Sequence, residues 1–418
     1  MTFEGNMRYL PWLAMLCFLA YAPSLFLPLI EDDYPIITES RAWGRPAALT
    51  SLVATPVFRQ RATSYWATLA LWQTFHLRPA AFHAVSLALH IVNTWLVFWL
   101  GLLWARMRPA ALWAAMFFAV QEGHQEAVMW YTAINELLMF GFGIGALVCW
   151  LAAEKTADGN RGARFWWRAL SVVLFALAMM SKESAVILPA FFFLVIPPAE
   201  WRRAIPRLLP YLVLAGVMAL SIFAARSDSF RFNDGSFSTG APFWITWPRG
   251  MARVLWIWGW PALLVVRKKA LLPLAWIGIA LAPYSFLTYS TEIPSRQTYL
   301  ATVGLVFLFG LAIAHLRETG VSPKLVTAIL VVMVLHNAGY LWTKKRGQFL
   351  RRAEPTRQLI KLARETNGPI WVRCFPRTSY IAKEAVHVAA GRPASDLVWS
   401  ASEAEQRKAA VVFCYQER

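Results

Sequence analysis

Long apolar runs separated by short polar loops recur along most of the chain. Many of the runs approach about 20 residues, the length that an α-helix needs to cross the hydrocarbon core of a bilayer. The pattern therefore predicts an all-α polytopic membrane protein with about eleven transmembrane helices. The predicted spans are 9–30, 82–104, 109–120, 128–151, 167–180, 185–196, 208–225, 254–266, 270–289, 298–315 and 325–342.

The first apolar run is too long for the hydrophobic region of a signal peptide, and no clear small-residue cleavage site follows it. We therefore expect it to be the first span. A long external loop, 31–81, then carries amphipathic pieces such as SYWATLALWQTF. These features assign residues 1–343 to a transmembrane domain.

Residues 344–418 form a polar C-terminal segment with a different pattern. PTRQLIKLARET and TSYIAKEAVHVAAG have the periodicity of helices, whereas PIWVRCF and AAVVFCY are typical of short strands. The segment is therefore predicted to be a small α/β module outside the membrane. Cys374 and Cys414 fall in the two predicted strands, and both a disulfide and two buried free thiols remain open.

Forty-one basic and 23 acidic residues give the chain a net charge of +18. The basic residues cluster in alternate short loops, as the positive-inside rule requires of cytoplasmic loops. This predicts a cytoplasmic N-terminus and an extracytoplasmic C-terminal module in a bacterial inner membrane. Only the cluster at 344–346 disagrees. Loop charge accounts for the basic balance, so we expect no nucleic-acid partner.

Glu31, Asp32 and Asp33 directly follow the first predicted span. Ionisable groups at membrane depth are costly and usually face an interior or a cavity. Other unusual polar residues fall on the same predicted side, namely Arg59, His83, His124, Glu126, Asn135, Glu136, Lys182, Glu183, Glu292 and Arg296. The sequence thus predicts a polar cavity at the outer surface, suited to a substrate with an apolar tail and a charged head.

Structural roles are the alternative for each of these features. The three acids could form a solvated loop or a helix cap, and His124 with Glu126 could cap an interfacial turn. Lys182 and Glu183 could pair at a helix end, and Arg296 could pair with Glu292.

Several segments resemble the membrane O-mannosyltransferases of the GT-C superfamily, in particular those with tetratricopeptide repeats and their bacterial relatives. They are the acidic pair at 32–33, VFRQ…FHAVSLALHIVNTWLVFWL, AALWAAMFFAVQEGHQEAVMWYTAINELL, ALAMMSKESAVILP and the weaker EIPSRQTYLATVG. The sequence departs from the family pattern at QEGH, where a first histidine is expected, and at Asn135-Glu136, which replace an Arg-Asp pair. No tetratricopeptide array follows.

The resemblance implies inverting transfer of a sugar from a polyprenyl-phosphate donor to a hydroxyl on the outer face. Asp33 or Asp32 would be the base, with Asp33 slightly favoured, because a carboxylate can take the acceptor proton. Arg296, Lys182 and Arg59 would stabilise the departing phosphate. Glu126 is a further catalytic candidate, and His124, Glu183 and Tyr299 are candidates for binding the substrate.

No cofactor is expected, although Mg or Mn held by Asp32 and Glu126 stays open. The acceptor could be a protein, a glycolipid or a glycan. A transporter or flippase for a lipid-linked saccharide is the first alternative, but no internal repeat supports it. A non-catalytic scaffold is the second, and it leaves the acids and Arg296 without a reason.

Overall fold

The computed structural model describes residues 6–43, 55–156, 160–224, 235–288, 290–409 and 411–416. Part of the predicted long loop, 44–54, and the last residues of two predicted spans, 225 and 289, lie outside this description. The described part is mainly helical up to residue 365 and mixed after it.

Sixteen described helices precede the C-terminal segment. They are α1 (Leu10–Tyr21), α2 (Asp33–Trp43), α3 (Pro56–Arg59), α4 (Ala62–Phe75), α5 (Pro79–Leu103), α6 (Ala111–Val120), α7 (Gln125–Met129), α8 (Ile134–Lys155), α9 (Arg161–Met179), α10 (Leu188–Val195), α11 (Trp201–Ala224), α12 (Phe243–Val254), α13 (Gly259–Val266), α14 (Leu271–Leu281), α15 (Thr302–Glu318) and α16 (Pro323–Tyr340).

Five helical segments among the described residues are long and apolar enough to cross a membrane, so the chain is an integral membrane protein. They are Pro79–Leu103, Tyr131–Lys155, Arg161–Met179, Pro198–Ala224 and Pro323–Glu365. Other predicted spans correspond to shorter helices, such as α6 with 10 residues and α13 with 8. Ten residues rise only about 15 Å, half of the hydrocarbon thickness. The count of about eleven spans therefore stays a prediction.

Helix α15 lies at the centre of the membrane domain. Every residue from Thr302 to Ala314 is buried, as expected for a helix that is apolar on all sides. Gly310 permits close contact with the chain before α6, since a Cβ at this position would lie 2.7 Å from the Ala110 carbonyl oxygen. This close approach fixes the central helix α15 against α6.

The C-terminal segment is a small α/β unit, as predicted. Helix α17 (Arg346–Glu365) continues from α16 through a π-helical turn, Leu341–Lys345. After it come β1 (Ile370–Cys374), α18 (Ser379–Ala390), β2 (Leu397–Val398), α19 (Ala401–Gln406) and β3 (Val411–Cys414). The domain boundary at 343/344 stays a prediction, and it falls inside this continuous helical run.

The three strands form a parallel sheet in the order β2-β1-β3. Ile370 of the central strand pairs with Leu397 on one side and with Val411 on the other. Cys374 and Cys414 are joined by a disulfide. The sequence analysis missed β2, which is only two residues long.

The C-terminal unit packs on the end of the membrane domain from which α2 and α4 project, here called the module end. Glu39 of α2 links the layers, because it accepts hydrogen bonds from Tyr65 of α4 at 2.9 Å and from Tyr380 of α18 at 3.2 Å. Helix α2 therefore lies between the membrane domain and the C-terminal unit.

Candidate active site

A small polar cavity of about 80 Å³, here called the Asp32 cavity, lies at the module end. Side chains from five separate regions of the chain meet in it. Its lining residues are Asp32, Arg61, Trp130, Thr132, Ala133, Asn135, Glu136, Lys182, Arg296 and Gln297. Most of these belong to the segments that the sequence analysis selected, and the cavity brings together Asp32, Lys182 and Arg296.

The turn that carries the acids is held by Asp33. Its carboxylate is fully buried and accepts hydrogen bonds from the Ile30 amide at 2.8 Å, the Thr132 amide at 2.8 Å and the Thr132 hydroxyl at 2.6 Å. The preceding Glu31 has a φ of +46°, which side chains with a Cβ rarely adopt. Asp33 therefore stabilises a strained turn, and burial raises its pKa to about 7 although the hydrogen bonds oppose the shift.

Asp32 has the opposite environment. It is only half-buried and lines the cavity, and no hydrogen bond or ion pair to its carboxylate is found among the described residues. Burial and the neighbouring Glu31 carboxylate raise its pKa, while Arg296 and Arg352 act against the shift. Of the two aspartates proposed as base, Asp32 is thus the one whose oxygen atoms are available to a substrate.

Lys182 forms a buried ion pair with Glu136. The Tyr284 hydroxyl lies 3.3 Å from the Glu136 carboxylate, to which it can donate, and 2.8 Å from the Ser184 hydroxyl, from which it can accept. The ammonium group lies 4.9 Å from the centre of the Tyr284 ring. These contacts fix the Lys182 cation at the cavity wall.

Arg61 supplies a second cation. It forms an ion pair with Glu183 at 3.1 Å, so the predicted site residue Glu183 acts on the cavity through Arg61. Arg59, which the sequence analysis selected, instead donates to the Ser221 hydroxyl of α11 at 2.6 Å and does not line the cavity. Arg59 and Arg61 are only two positions apart, across a turn, which explains why the motif alone did not distinguish them.

Arg296 and Arg352 flank the Trp130 ring, with guanidinium carbons 4.8 and 4.5 Å from its centre. Both also approach Glu126, at 3.7 and 3.9 Å respectively. The Arg296 amide adds a hydrogen bond to Glu126 at 3.2 Å. Glu126 therefore holds two cations in place beside the cavity, and Arg296 pairs with it rather than with Glu292.

His124 and Tyr299 lie in a buried aromatic cluster and do not line the cavity. His124 bonds the Thr302 hydroxyl at 2.6 Å, and Tyr299 bonds His90 at 2.8 Å. The His124 and Tyr299 rings are 4.5 Å apart. Their substrate-binding roles stay predictions, and their contacts support packing beneath the turn that carries Glu126.

Several carboxylates near the cavity are already paired with arginines or with local hydrogen-bond donors. No group of three or more His, Cys, Asp or Glu side chains that could hold a metal occurs in the described ranges. Glu31 and Glu126 face arginines, and Asp33 accepts three local donors. Hard cations prefer several free oxygen ligands. Glu126 is already paired, and a divalent metal held by Asp32 and Glu126 therefore stays a prediction.

Besides Arg61, the sequence analysis missed Thr132, Trp130 and Arg352 at the site. Thr132 and Trp130 lie inside the VMWYTAINELL segment, from which the sequence analysis took the family resemblance, Asn135 and Glu136 only. Arg352 lies in the C-terminal segment, and nothing in the sequence places it near residue 31.

The helical membrane domain, the acidic turn and the small extramembrane unit together define the class: a membrane protein with the GT-C fold. Two solved glycosyltransferases of this fold are similar over nearly the whole chain. ArnT from Cupriavidus metallidurans in the apo state aligns over 98% of this chain and 89% of its own, with a TM-score of 0.54 and 13% identity. The predicted resemblance to the GT-C superfamily is therefore confirmed at the level of the fold.

The same ArnT bound to undecaprenyl phosphate aligns with a TM-score of 0.53 and 13% identity, over 94% of this chain and 86% of its own. The archaeal oligosaccharyltransferase AglB from Archaeoglobus fulgidus, in complex with an inhibitory peptide and a dolichol-phosphate, aligns with a TM-score of 0.54 and 12% identity. That alignment covers 96% of this chain and 65% of AglB.

A sequence relative agrees with the motifs. The protein O-mannosyl-transferase Tmtc1 of Drosophila melanogaster is 31% identical over 111 residues. This match covers 26% of the present chain and only 12% of Tmtc1. No protein-family model matches the chain.

Proposed function

We propose that the chain is a membrane glycosyltransferase that transfers a sugar, with mannose as the first candidate, from a polyprenyl-phosphate donor to a hydroxyl acceptor with inversion. One observation carries the proposal. The Asp32 carboxylate, which has no hydrogen-bond or ion-pair partner among the described residues, lies in a small cavity whose other charged groups include the cations of Arg61, Lys182 and Arg296.

The chemistry needs a base and a cationic site close together. The acceptor oxygen attacks the anomeric carbon, Asp32 takes the hydroxyl proton, and the bond from that carbon to the phosphate oxygen breaks. A half-buried carboxylate with a raised pKa is a stronger base than a solvated one. Asp33 lacks this freedom, since both of its oxygens hold the turn.

The bond electrons leave with the lipid phosphate. Arg296 and Lys182 are positioned to stabilise that charge, because fixed cations in a partly dry cavity need no reorganisation. Arg296 offers a planar bidentate donor for phosphate, and Lys182 offers a point charge. Arg61 is the third candidate, in place of Arg59.

The donor class is supported by two of the similar structures, since ArnT was solved with undecaprenyl phosphate and AglB with a dolichol-phosphate. Mannose is suggested by the name of the Drosophila relative. AglB was solved with an inhibitory peptide, and this supports a protein as one candidate acceptor. A glycolipid and a glycan are the other two candidates.

We place the Asp32 cavity on the outer face of a bacterial inner membrane. Supporting this, Arg106, Lys268 and Lys269 line one cleft beyond the far end of α5, away from the module end. Helix α5 has 25 residues and spans about 37 Å. Basic loops on that end are typical of the cytoplasmic side.

The test is transfer of label from radioactive polyprenyl-phosphate-mannose by the purified protein in detergent. The acceptor is an extract of envelope and secreted proteins and lipids. We expect transfer by the wild type and a loss of about 100-fold or more in Asp32→Asn, while Glu405→Gln in the exposed α19 behaves as wild type. Equal transfer by Asp32→Asn would remove Asp32 as the base. Saturable donor binding without any turnover would favour a lipid-saccharide transporter.

A further inference from the structure

A second cavity, of about 410 Å³, lies between α17 and the module end of the membrane domain. We call it the α17 cleft. One wall comes from the chain around the end of the first span and the start of α5, and the other comes from α17 and α18. Its lining residues are Pro28, Leu29, Tyr34, Leu77, Pro79, Arg357, Ile360, Lys361, Arg364, Glu365 and Ala389.

The membrane-domain wall is apolar and lies where two membrane segments meet the surface. Phe26 ends the first apolar helical segment two residues before Pro28, and its side chain is 77% exposed. Phe75 precedes Leu77 by two residues and is 40% exposed. Exposed aromatic rings at the ends of spans are typical of the interface between hydrocarbon and headgroups. The cleft therefore lies at headgroup level.

The opposite wall is basic. Arg357, Lys361 and Arg364 recur at spacings of four and three residues, which places them on one face of α17. All three are exposed, and Glu365 is the single acid that lines the cleft. The wall thus presents three cations above an apolar floor that includes Leu29 and Ile360.

The partners of these cations are weak or local. Arg357 approaches Glu354 at 3.6 Å and Lys361 approaches Glu365 at 4.0 Å, which are loose surface pairs. Arg364 donates a hydrogen bond to the Ala389 carbonyl oxygen at 2.7 Å. No acidic side chain among the described residues forms an ion pair with it. An anion that binds these three cations would therefore displace water and would not have to break a strong ion pair.

We propose that the α17 cleft binds the phosphate-bearing headgroup of an anionic membrane lipid. The phosphate lies against Arg357, Lys361 and Arg364, and the upper part of the acyl chains covers Pro28, Leu29 and Leu77. A soluble phosphate would leave this apolar wall uncovered, and a zwitterionic lipid would leave the cations unmatched. The site is separate from the Asp32 cavity, and the inference does not depend on glycosyl transfer.

The test measures lipid retention by native mass spectrometry, with the full-length protein in detergent and equal phosphatidylglycerol and phosphatidylcholine added. We expect wild type to retain phosphatidylglycerol preferentially. Arg357→Gln/Lys361→Gln should weaken the binding of phosphatidylglycerol about 30-fold, because each charge near a headgroup contributes about fivefold and two are removed. Arg357→Lys/Arg364→Lys keeps the charge and should bind within about threefold of wild type.

The control is Arg373→Gln/Lys408→Gln, which removes two charges from the same unit outside the cleft. This variant should bind as wild type does. Equal loss in the control would show a nonspecific charge effect and overturn the site. Equal retention of the two lipids, or unchanged binding by Arg357→Gln/Lys361→Gln, would overturn it as well. So would displacement by glycerol phosphate at concentrations similar to those of the whole lipid.

Discussion

Glu31 joins the acidic turn to helix α17 through a two-pronged ion pair with Arg352. The Arg352 Nε and Nη2 atoms lie 3.0 and 2.6 Å from the two Glu31 oxygens, although the residues are 321 positions apart. Arg377, which follows β1, adds a third bond to Glu31 at 2.8 Å. Because Asp32 is the next residue, the C-terminal unit helps to set the position of the proposed base.

The first prediction concerns this junction. Glu31→Gln removes the charge that Arg352 and Arg377 share, and we expect a cost of about 1–3 kcal/mol, because Glu31 is buried while its arginine partners are partly exposed. Hydrogen exchange in α17 should accelerate, and turnover should fall about tenfold because the Asp32 turn is less well positioned. Arg377→Ala, which leaves the Arg352 pair intact, should have a smaller effect on both. Unchanged exchange and turnover in Glu31→Gln would show that the junction does not position the turn.

The second prediction is the pH dependence of transfer. The base must be deprotonated, so kcat/KM should fall as pH is lowered through the pKa of Asp32. Burial and Glu31 raise this pKa, so the loss should begin at a higher pH than for an ordinary aspartate. Glu31→Gln removes one cause of the raised pKa and should move the acidic limb to lower pH. If wild type and Glu31→Gln show the same acidic limb, that limb reports the titration of a group other than Asp32.

The sequence analysis found the acidic turn and slightly favoured Asp33 as the base, whereas the proposed mechanism uses Asp32. Asp32 and Asp33 are neighbours of the same chemical type, and their surroundings differ because the chain reverses at Glu31. That reversal directs Asp33 to the Ile30 and Thr132 amides and leaves Asp32 at the cavity. Which carboxylate faces the cavity depends on backbone dihedrals and on a contact between residues 99 positions apart. Neither can be predicted from hydropathy.

Membrane character and the C-terminal α/β unit were predictable because both rest on periodicity and length. The number of spans was not, since α6, α10 and α13 are apolar but short, and apolarity alone cannot separate a spanning helix from one buried in the bundle. The position of Arg352 beside the site could not be predicted from the sequence either. It belongs to a segment assigned to a separate module, and only its docking on α2 brings it to Glu31 and Glu126.

The third prediction tests the structural role of Asp33. Its folded-state pKa is about 7, above the ordinary value of 3.8. A raised pKa means that the contribution to stability is fully present below the unfolded value and is lost as pH rises through 7. The melting temperature of wild type in detergent should therefore decrease between about pH 4 and 7. Asp33→Asn should not show this decrease.

Thr132→Val is the matched variant for this test. It removes the hydroxyl donor to Asp33 but keeps the amide donor, and it should cost about 1 kcal/mol. The hydroxyl bond lowers the Asp33 pKa, so its loss should extend the decrease to higher pH. Identical pH slopes in wild type and Asp33→Asn would contradict a raised pKa at this position.

The fourth prediction separates structure from chemistry at the Lys182–Glu136 pair. Both groups are buried, so Lys182→Met alone leaves an unpaired carboxylate and should destabilise the protein by about 3–5 kcal/mol. The double variant Lys182→Met/Glu136→Leu removes both charges, and its stability should return close to that of wild type. Thermal unfolding in detergent measures both effects.

The double variant then isolates the role of the cation in catalysis. If Lys182 stabilises the departing phosphate, the stable double variant should still lose about 100-fold or more in turnover. Glu154→Gln, at an exposed pair with Arg168 and Arg207 on the far end of α8, serves as the control and should retain activity. A stable double variant with wild-type turnover would make Lys182 purely structural. The phosphate would then be left to Arg296 and Arg61, whose substitution should in that case abolish transfer.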